Sequence, residues 1–327
     1  MLELSLACQN TDRTRALLEN RVTIDGVKIH FVTGPAEELF QRAFRHAEFD
    51  ISELSLGTHL LTTARAASHY IGVPVFLSRA FRHSAVYIRG DRGIDSADAL
   101  KGRRIGVPDF QQTAGIWVRG MLADEYGIGN RDVRWVIGGL EQTGRAARVP
   151  YTLPSDIQVE PIAPDQTLSR LLDAGEIDAV IAPKPPSCFG RNEHVRRLFP
   201  VPREVEQTWF RKTGIFPPMH TLGIRRSLVE KHPWLPVNVY AAFKKARDLA
   251  LTELQMTDTL RVMHPWITEE LDQVRALMGH DFWRYGVKEC RDELDTLQRY
   301  ALSDGLIERP VPIDDLFAPS TSEAFNF

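Results

Sequence analysis

Cysteine is scarce in this 327-residue sequence, which contains three. Cys8, Cys188 and Cys290 are far apart and form no Cys-x-x-Cys pair, so the sequence predicts neither a disulfide framework nor a thiolate metal site. The ten histidines show no His-x-x-x-His or His-Glu-x-x-His spacing, and no carboxylates cluster at ligand-like spacing. We therefore expect no obligatory metal. Spacing patterns detect ligands that are close in sequence, so they do not address a site assembled from distant segments.

Phosphate-binding glycine motifs and long apolar runs are also absent. There is no Gly-x-x-x-x-Gly-Lys-Ser/Thr, and no Gly-x-Gly-x-x-Gly opens a helix after the first strand, so we expect no nucleotide and no other cofactor. No apolar run approaches the roughly 18 residues of a membrane span, and Glu3 stands where a signal peptide needs a basic residue. The sequence predicts a cytoplasmic location and no membrane partner.

A strong charge of one sign is missing too. The 40 basic and 43 acidic residues leave a net charge of −3, which gives no basic field for nucleic acid. What is present is the composition of a globular protein, with 43% apolar and 25% charged residues. The length exceeds the roughly 250 to 300 residues of a single core, so we expect two lobes with a cleft between them.

Strand and helix patterns alternate along the chain. Leu2 to Ala7 and Val27 to Val32 are typical of strands, whereas Thr11 to Glu19 and the segment after Pro35 are typical of helices. This alternation predicts an α/β fold of mixed, mostly parallel sheets with helices on both faces.

A weak internal repeat supports two similar lobes. Residues 47–54 resemble residues 175–182, and each segment predicts the end of a helix, a tight turn and a buried strand. The alignment places Glu53 opposite Ile181, so the first copy is polar where the second is apolar. Glu53 is therefore either a functional carboxylate or a side chain in water just past the strand end.

The chain is expected to leave the first lobe and return to it. We predict a discontinuous first lobe of residues 1–87 and 213–327, with an inserted second lobe of residues 88–212. The segment from Pro310 to Phe327 resembles an extended tail. It either wraps a partner subunit in a homo-oligomer or frays.

Seven runs of sequence, in order along most of the chain, resemble one protein family. They are Glu48-Phe-Asp-Ile-Ser-Glu-Leu-Ser, Ser78-Arg-Ala-Phe-Arg-His-Ser, Leu100-Lys-Gly-Arg-Arg-Ile-Gly-Val-Pro, Trp117-Val-Arg-Gly, Gly175-Glu-Ile-Asp-Ala, Pro185-Pro-Ser-Cys-Phe-Gly-Arg and Thr213-Gly-Ile-Phe-Pro-Pro-Met-His. Together they resemble the 4,5-dihydroxyphthalate decarboxylases.

The resemblance implies a two-lobed type II periplasmic-binding-protein-like fold. It also implies an enzyme whose partner is a small aromatic dicarboxylate, with conversion of 4,5-dihydroxyphthalate to protocatechuate and carbon dioxide. Most proteins of this architecture bind solutes without chemistry, so fold alone does not settle activity. The alternatives are a cytoplasmic or exported solute-binding protein for a small carboxylate anion, and a decarboxylase of a related hydroxylated aromatic acid.

Such a decarboxylase needs cationic groups that bind the substrate. Arg82 is the first choice as carboxylate anchor, because a guanidinium donates two parallel hydrogen bonds to a carboxylate. The alternative is a surface arginine that follows a strand. His83 is a second candidate, but neighbours on an extended segment point to opposite sides, so one of the pair is expected to be structural unless the chain turns there.

Further binding candidates follow two predicted strands. Gln112 and Thr113 open a helix whose unpaired N–H groups favour an anion, although Thr113 is also a common capping residue and Asp109 nearby would repel one. Lys184 follows the strand that ends near Ala182, at the sheet edge where ligands gather in open α/β sheets. An ordinary solvated lysine would have the same sequence context.

The reaction also needs a proton donor. His220, on the segment returning to the first lobe, is the leading candidate because histidine exchanges protons near neutral pH. A core histidine is the alternative interpretation. Glu53 is the rival donor, since burial beside a dianion would raise its pKa and keep it protonated.

Overall fold

The strands and helices follow the alternation that the sequence predicts. The computed structural model describes residues 1–144 and 147–323, and bounds are given for that part of the chain. The strands are β1 (Leu2–Ala7), β2 (Val27–Val32), β3 (Ile51–Ser55), β4 (Tyr70–Arg79), β5 (Val86–Arg89), β6 (Arg104–Val107), β7 (Arg134–Ile137), β8 (Val159–Pro161), β9 (Ala179–Ile181), β10 (Val195–Arg197) and β11 (Pro218–Arg225). The α-helices are α1 (Asp12–Leu18), α2 (Ala36–His46), α3 (Leu56–Ala64), α4 (Thr113–Tyr126), α5 (Leu168–Ala174), α6 (Pro202–Thr213), α7 (Arg226–Lys231), α8 (Leu235–Glu253), α9 (Ile267–Met278), α10 (Arg291–Ser303), α11 (Ile313–Leu316) and α12 (Ser320–Glu323).

The chain divides into two compact units. Unit 1 contains Met1–Arg79, Pro218–Leu294 and the chain from Val311 on, and unit 2 contains Ala80–Pro217 and Asp295–Pro310. The chain passes from unit 1 to unit 2 after Arg79 and returns before Pro218, and both points are within eight residues of the predicted lobe boundaries. The C-terminal part of α10, however, lies in a different unit from the one predicted. It belongs to unit 2 because its side chains contact α4, in the pairs Tyr300 with Trp117, Asp304 with Arg119 and Arg299 with Asp124.

The sheet of unit 1 is mixed. Its strand order is β2-β1-β3-β11-β4, with β1 parallel to β2 and β3, and β11 antiparallel to β3 and β4. Because β11 runs against β3, the start of β11 and the ends of β1 and β3 lie at the same edge. We call this edge the carboxyl edge of unit 1.

The sheet of unit 2 has the order β10-β5-β9-β6-β7-β8. Strands β9, β6, β7 and β8 are parallel, while β5 is antiparallel to β9 and β10. The start of β5 therefore lies at the same edge as the ends of β6 and β9. This is the carboxyl edge of unit 2.

The internal repeat is present in the structure. Helices α2 and α5 both end at a left-handed residue, Ala47 with φ 46° and Gly175 with φ 72°, and each is followed by a buried strand. The carboxylates of Asp50 and Asp178 both accept a backbone N–H at 2.9 Å, from Ser5 and Arg104 respectively, on the neighbouring parallel strands. The two copies share the same helix, turn and strand, which confirms the predicted repeat.

One apolar cluster of each unit lies beneath the helix of its repeat. In unit 1 it contains Ala7, Leu39, Ala43, Phe49, Leu54 and Tyr70. In unit 2 it contains Tyr87, Val136, Leu168, Leu172, Ile177 and Val180. Within the described ranges, no helix has the length and apolar character needed to cross a bilayer.

The described part of the C-terminal segment is neither extended nor frayed. Phe317 is buried, and the N–H of Ala318 donates to the carbonyl of Gly72 at 2.8 Å. The carbonyl of Leu316 lies 2.9 Å from Nε2 of the buried His59. The apolar residues of the segment thus pack into unit 1, which corrects the prediction up to residue 323. Residues 324–327 are outside the described part, and a homo-oligomer stays a prediction.

Candidate active site

Glu53 is a buried carboxylate inside the sheet of unit 1. It lies on β3, between β1 and β11, and is 2% exposed. This excludes the alternative of a side chain in water beyond the strand end. A buried carboxylate needs partners, and the neighbouring segments supply them.

His220 is the side-chain partner of Glu53. On β11, Leu222 faces Glu53 and His220 faces Ser55, so Glu53 and His220 are diagonal neighbours on one face of the sheet. Their Nδ1 and Oε1 atoms are 2.7 Å apart. The Phe40 and His220 rings pack nearly perpendicular to each other, with centroids 4.8 Å apart.

The loop after β1 supplies the second partner. Ala7 faces Ser52 across the parallel β1–β3 pair, and two residues later the backbone N–H of Gln9 donates to Oε2 of Glu53 at 2.9 Å. Both carboxylate oxygens are thus held from different segments at the carboxyl edge of unit 1.

These contacts set the protonation state of Glu53. Burial raises the pKa of this carboxyl, but hydrogen bonding and charge from His220, the Gln9 N–H and the charge of Arg13 together hold the pKa below its usual range. Glu53 is therefore ionised and only accepts hydrogen bonds, so Nδ1 of His220 carries the shared proton. These contacts favour His220 over a protonated Glu53 as proton donor, because the charge and donors around the carboxyl outweigh its desolvation, and the identity of the donor stays a prediction.

Arg13 lies at the same edge and was absent from the predicted site residues. Its Nε donates to the carbonyl of Leu77 at 2.5 Å, its Nη1 lies 2.9 Å from a carboxylate oxygen of Asp12, and its guanidinium stacks over Trp283 at 4.5 Å. The signal available in the sequence was its position in the loop and helix that follow the first strand, where ligands gather in open α/β sheets.

Arg82 and His83 precede β5, at the carboxyl edge of unit 2. The chain turns there, because His83–Ala85 form a short 3-10 helix, so the segment is not extended. Arg82 is half-buried, and burial lowers its pKa to about 10 despite the nearby charge of Glu206.

His83 is 2% exposed and lies between aromatic rings. Its ring centroid is 5.4 Å from that of Phe199 and 5.8 Å from that of Trp209, and burial lowers its pKa to about 4. A neutral, enclosed imidazole is a poor ligand for an anion. We assign His83 to packing rather than binding, which makes it the structural member of the pair.

Gln112 and Thr113 lie at the start of α4 and are buried. Gln112 occupies the cap position and makes no side-chain cap hydrogen bond, while Thr113 is the first helical residue, so Thr113 is not an ordinary cap. The carboxylate of Asp109 accepts the backbone N–H of Gln111 at 3.2 Å and is 2% exposed, so it is turned toward its own loop.

Lys184 is exposed and follows β9. With Arg82, Gln112 and Thr113 it shares the carboxyl edge of unit 2, whereas Glu53 and His220 share the carboxyl edge of unit 1. No group of three or more His, Cys, Asp or Glu in residues 1–144 and 147–323 is arranged to hold a metal ion.

Sequence comparison identifies the family. No protein-family model matches the sequence. A 4,5-dihydroxyphthalate decarboxylase of Comamonas testosteroni is 45% identical over 326 residues, which cover 99% of each chain. A 4,5-dihydroxyphthalate decarboxylase of Pseudomonas putida is 49% identical over 211 residues, or 64% of this chain and 82% of the relative. The chain belongs to the 4,5-dihydroxyphthalate decarboxylase family.

Solved structures confirm the predicted fold of this family member. The periplasmic aliphatic sulphonate binding protein SsuA of Escherichia coli superposes with a TM-score of 0.56 at 15% identity, covering 98% of this chain and 99% of that one. A periplasmic sulfonate-binding protein of Methylobacillus flagellatus KT gives a TM-score of 0.56 at 12% identity over 98% and 92% of the two chains. The family member therefore has the periplasmic-binding-protein-like fold, with two mixed sheets and helices on both faces.

Proposed function

We propose that this chain decarboxylates 4,5-dihydroxyphthalate to protocatechuate and carbon dioxide. Its membership of the decarboxylase family supports the reaction. The observation that carries the mechanism is the pair of His220 and an ionised, buried Glu53 at one sheet edge, 2.7 Å apart. A carboxylate that fixes an imidazole in one orientation is a common arrangement for proton transfer.

His220 delivers the proton. Because Nδ1 is held by Glu53, Nε2 is the nitrogen left to face the substrate, and its proton moves to the ring carbon that bears the leaving carboxylate. The new C–H bond takes an electron pair from the ring. The bond to the carboxylate carbon then breaks, its electrons return to the ring, and carbon dioxide leaves. Neutral His220 regains its proton from solvent.

The substrate supplies its own electrons. Each carboxylate of 4,5-dihydroxyphthalate is para to one hydroxyl, and partial ionisation of that hydroxyl raises electron density at the carbon to be protonated. The reaction in this form is independent of a metal or an organic electron sink. We expect full activity after exhaustive dialysis against a chelator.

The proposal is tested by incubating purified protein with 4,5-dihydroxyphthalate and following protocatechuate by chromatography. Stoichiometric protocatechuate and carbon dioxide are the expected result. Saturable binding of the substrate without product would overturn the enzyme assignment in favour of a solute-binding protein. Turnover of another hydroxylated aromatic acid in its place would move the assignment to that substrate.

We expect Arg82→Lys to weaken substrate binding with little effect on kcat. A lysine keeps the charge but loses the forked donor geometry, so one or two hydrogen bonds are lost and KM should rise roughly three- to tenfold. Steady-state kinetics provide the measurement. Arg131→Lys, at an exposed ion pair with Asp156 in the same unit, is the matched control and should behave as wild type. An unchanged KM for Arg82→Lys would remove Arg82 from the binding residues.

A further inference from the structure

We propose that Arg13 binds the carboxylate that remains on the ring after decarboxylation. This inference rests on the proposed function and names a substrate-binding residue that the sequence analysis did not predict. It assigns the remaining carboxylate to unit 1, which also carries the proton donor.

Arg13 is held rigidly on three sides. Leu77 accepts from Nε, Asp12 accepts from Nη1, and the guanidinium carbon lies over the Trp283 ring, 4.5 Å from its centroid. Trp283 is itself fixed, because its indole N–H donates to the carbonyl of Phe76 at 2.9 Å. A guanidinium positioned in advance loses little conformational entropy when it binds an anion.

The strand order brings Arg13 to the edge of unit 1 that carries His220. Arg13 starts from the segment after β1 and reaches the backbone of β4, and the two strands between them are β3 and β11, which carry Glu53 and His220. Leu77, whose carbonyl accepts the hydrogen bond from Arg13, lies between Val73 and Ser78 of β4. The pairing of β4 with β11 shifts register in this stretch. Ser78 is the residue of β4 that faces His220.

The charge of Arg13 already acts at this site, since it contributes to the lowered pKa of Glu53. Its donors are not all used, however. Nη2 makes no hydrogen bond or ion pair with any residue of the described part of the chain, and the side chain is 19% exposed. A planar guanidinium with an unused nitrogen offers the directed N–H donors that a carboxylate accepts.

The chemistry of an ortho diacid explains why the anchor should lie beside the donor. His220 protonates the carbon that loses its carboxylate, and the remaining carboxylate is on the adjacent ring carbon. A residue that binds it must therefore be close to the imidazole. Arg13 meets this requirement within unit 1.

The test compares the binding of two ligands by titration calorimetry. Protocatechuate carries the remaining carboxylate, and catechol has the same two hydroxyls without it. We expect Arg13→Gln to weaken protocatechuate binding about tenfold, because it removes a charge-assisted contact at a partly exposed side chain, and to leave catechol binding within twofold of wild type. Arg13→Lys should fall between wild type and Arg13→Gln. Arg15→Gln, an exposed residue on the same helix, is the matched control.

The outcomes separate this inference from the proposed function. An unchanged ratio of the two dissociation constants in Arg13→Gln would overturn the role of Arg13. If Arg82→Lys changes this ratio and Arg13→Gln does not, Arg82 is the residue that binds the remaining carboxylate. If Arg13→Gln fails to fold, the same ratio is measured with Arg13→Lys. Wild-type protein that binds both ligands but produces no protocatechuate from 4,5-dihydroxyphthalate would contradict the proposed function and leave the Arg13 comparison intact.

Discussion

His220→Gln should lower kcat for 4,5-dihydroxyphthalate by about 10²- to 10⁴-fold, the usual contribution of a positioned general acid. Glutamine has nearly the size of histidine and still donates to Glu53, but it has no proton to transfer at neutral pH. KM should change little, because the site keeps its cationic groups. Steady-state kinetics with purified variants give both constants.

The matched control for His220→Gln is His69→Gln. His69 is exposed and directly precedes β4, at the opposite edge of the unit 1 sheet from His220. We expect it to keep wild-type kinetics. A kcat for His220→Gln within a few-fold of wild type would overturn the assignment of His220 as proton donor.

The local pattern of the sequence was sufficient to predict much of the fold. Strands at Leu2–Ala7 and Val27–Val32 were predicted at the observed bounds, because half-buried strands alternate side chains with a period of two. The repeat at residues 47 and 175 was visible because both copies keep the same helix end and buried strand. The C-terminal part of α10 was assigned to the wrong unit, since a helical pattern does not show which neighbour its apolar face will contact.

The site was only partly predictable for a related reason. Glu53 and His220 were both selected, but as rivals, because their contact depends on the register of two strands whose residues are 167 positions apart. His83 had the same local context as Arg82, and its burial comes from Phe199 and Trp209, which lie more than 100 residues further along the chain. Arg13 is fixed by a carbonyl in an irregular stretch of β4, and no local pattern predicts a register shift.

Glu53→Gln should lower kcat about 10- to 100-fold at neutral pH. The change keeps the size of the side chain but removes the charge that favours the protonated imidazole, and a hydrogen bond to a charged group contributes about 1.5 to 3 kcal/mol. Glu38→Gln, in which the replaced carboxylate is 59% exposed on α2, is the control and should keep the wild-type kcat.

The double variant decides whether Glu53 acts through His220. If Glu53 only orients the imidazole and favours its protonated form, it has no function once His220 is gone, so Glu53→Gln/His220→Gln should be no slower than His220→Gln alone. If the two residues act independently, their losses should multiply, because effects of uncoupled residues are additive in free energy. A double variant slower than His220→Gln by the full factor of Glu53→Gln would contradict the orienting role. It would show that Glu53 contacts the substrate in its own right.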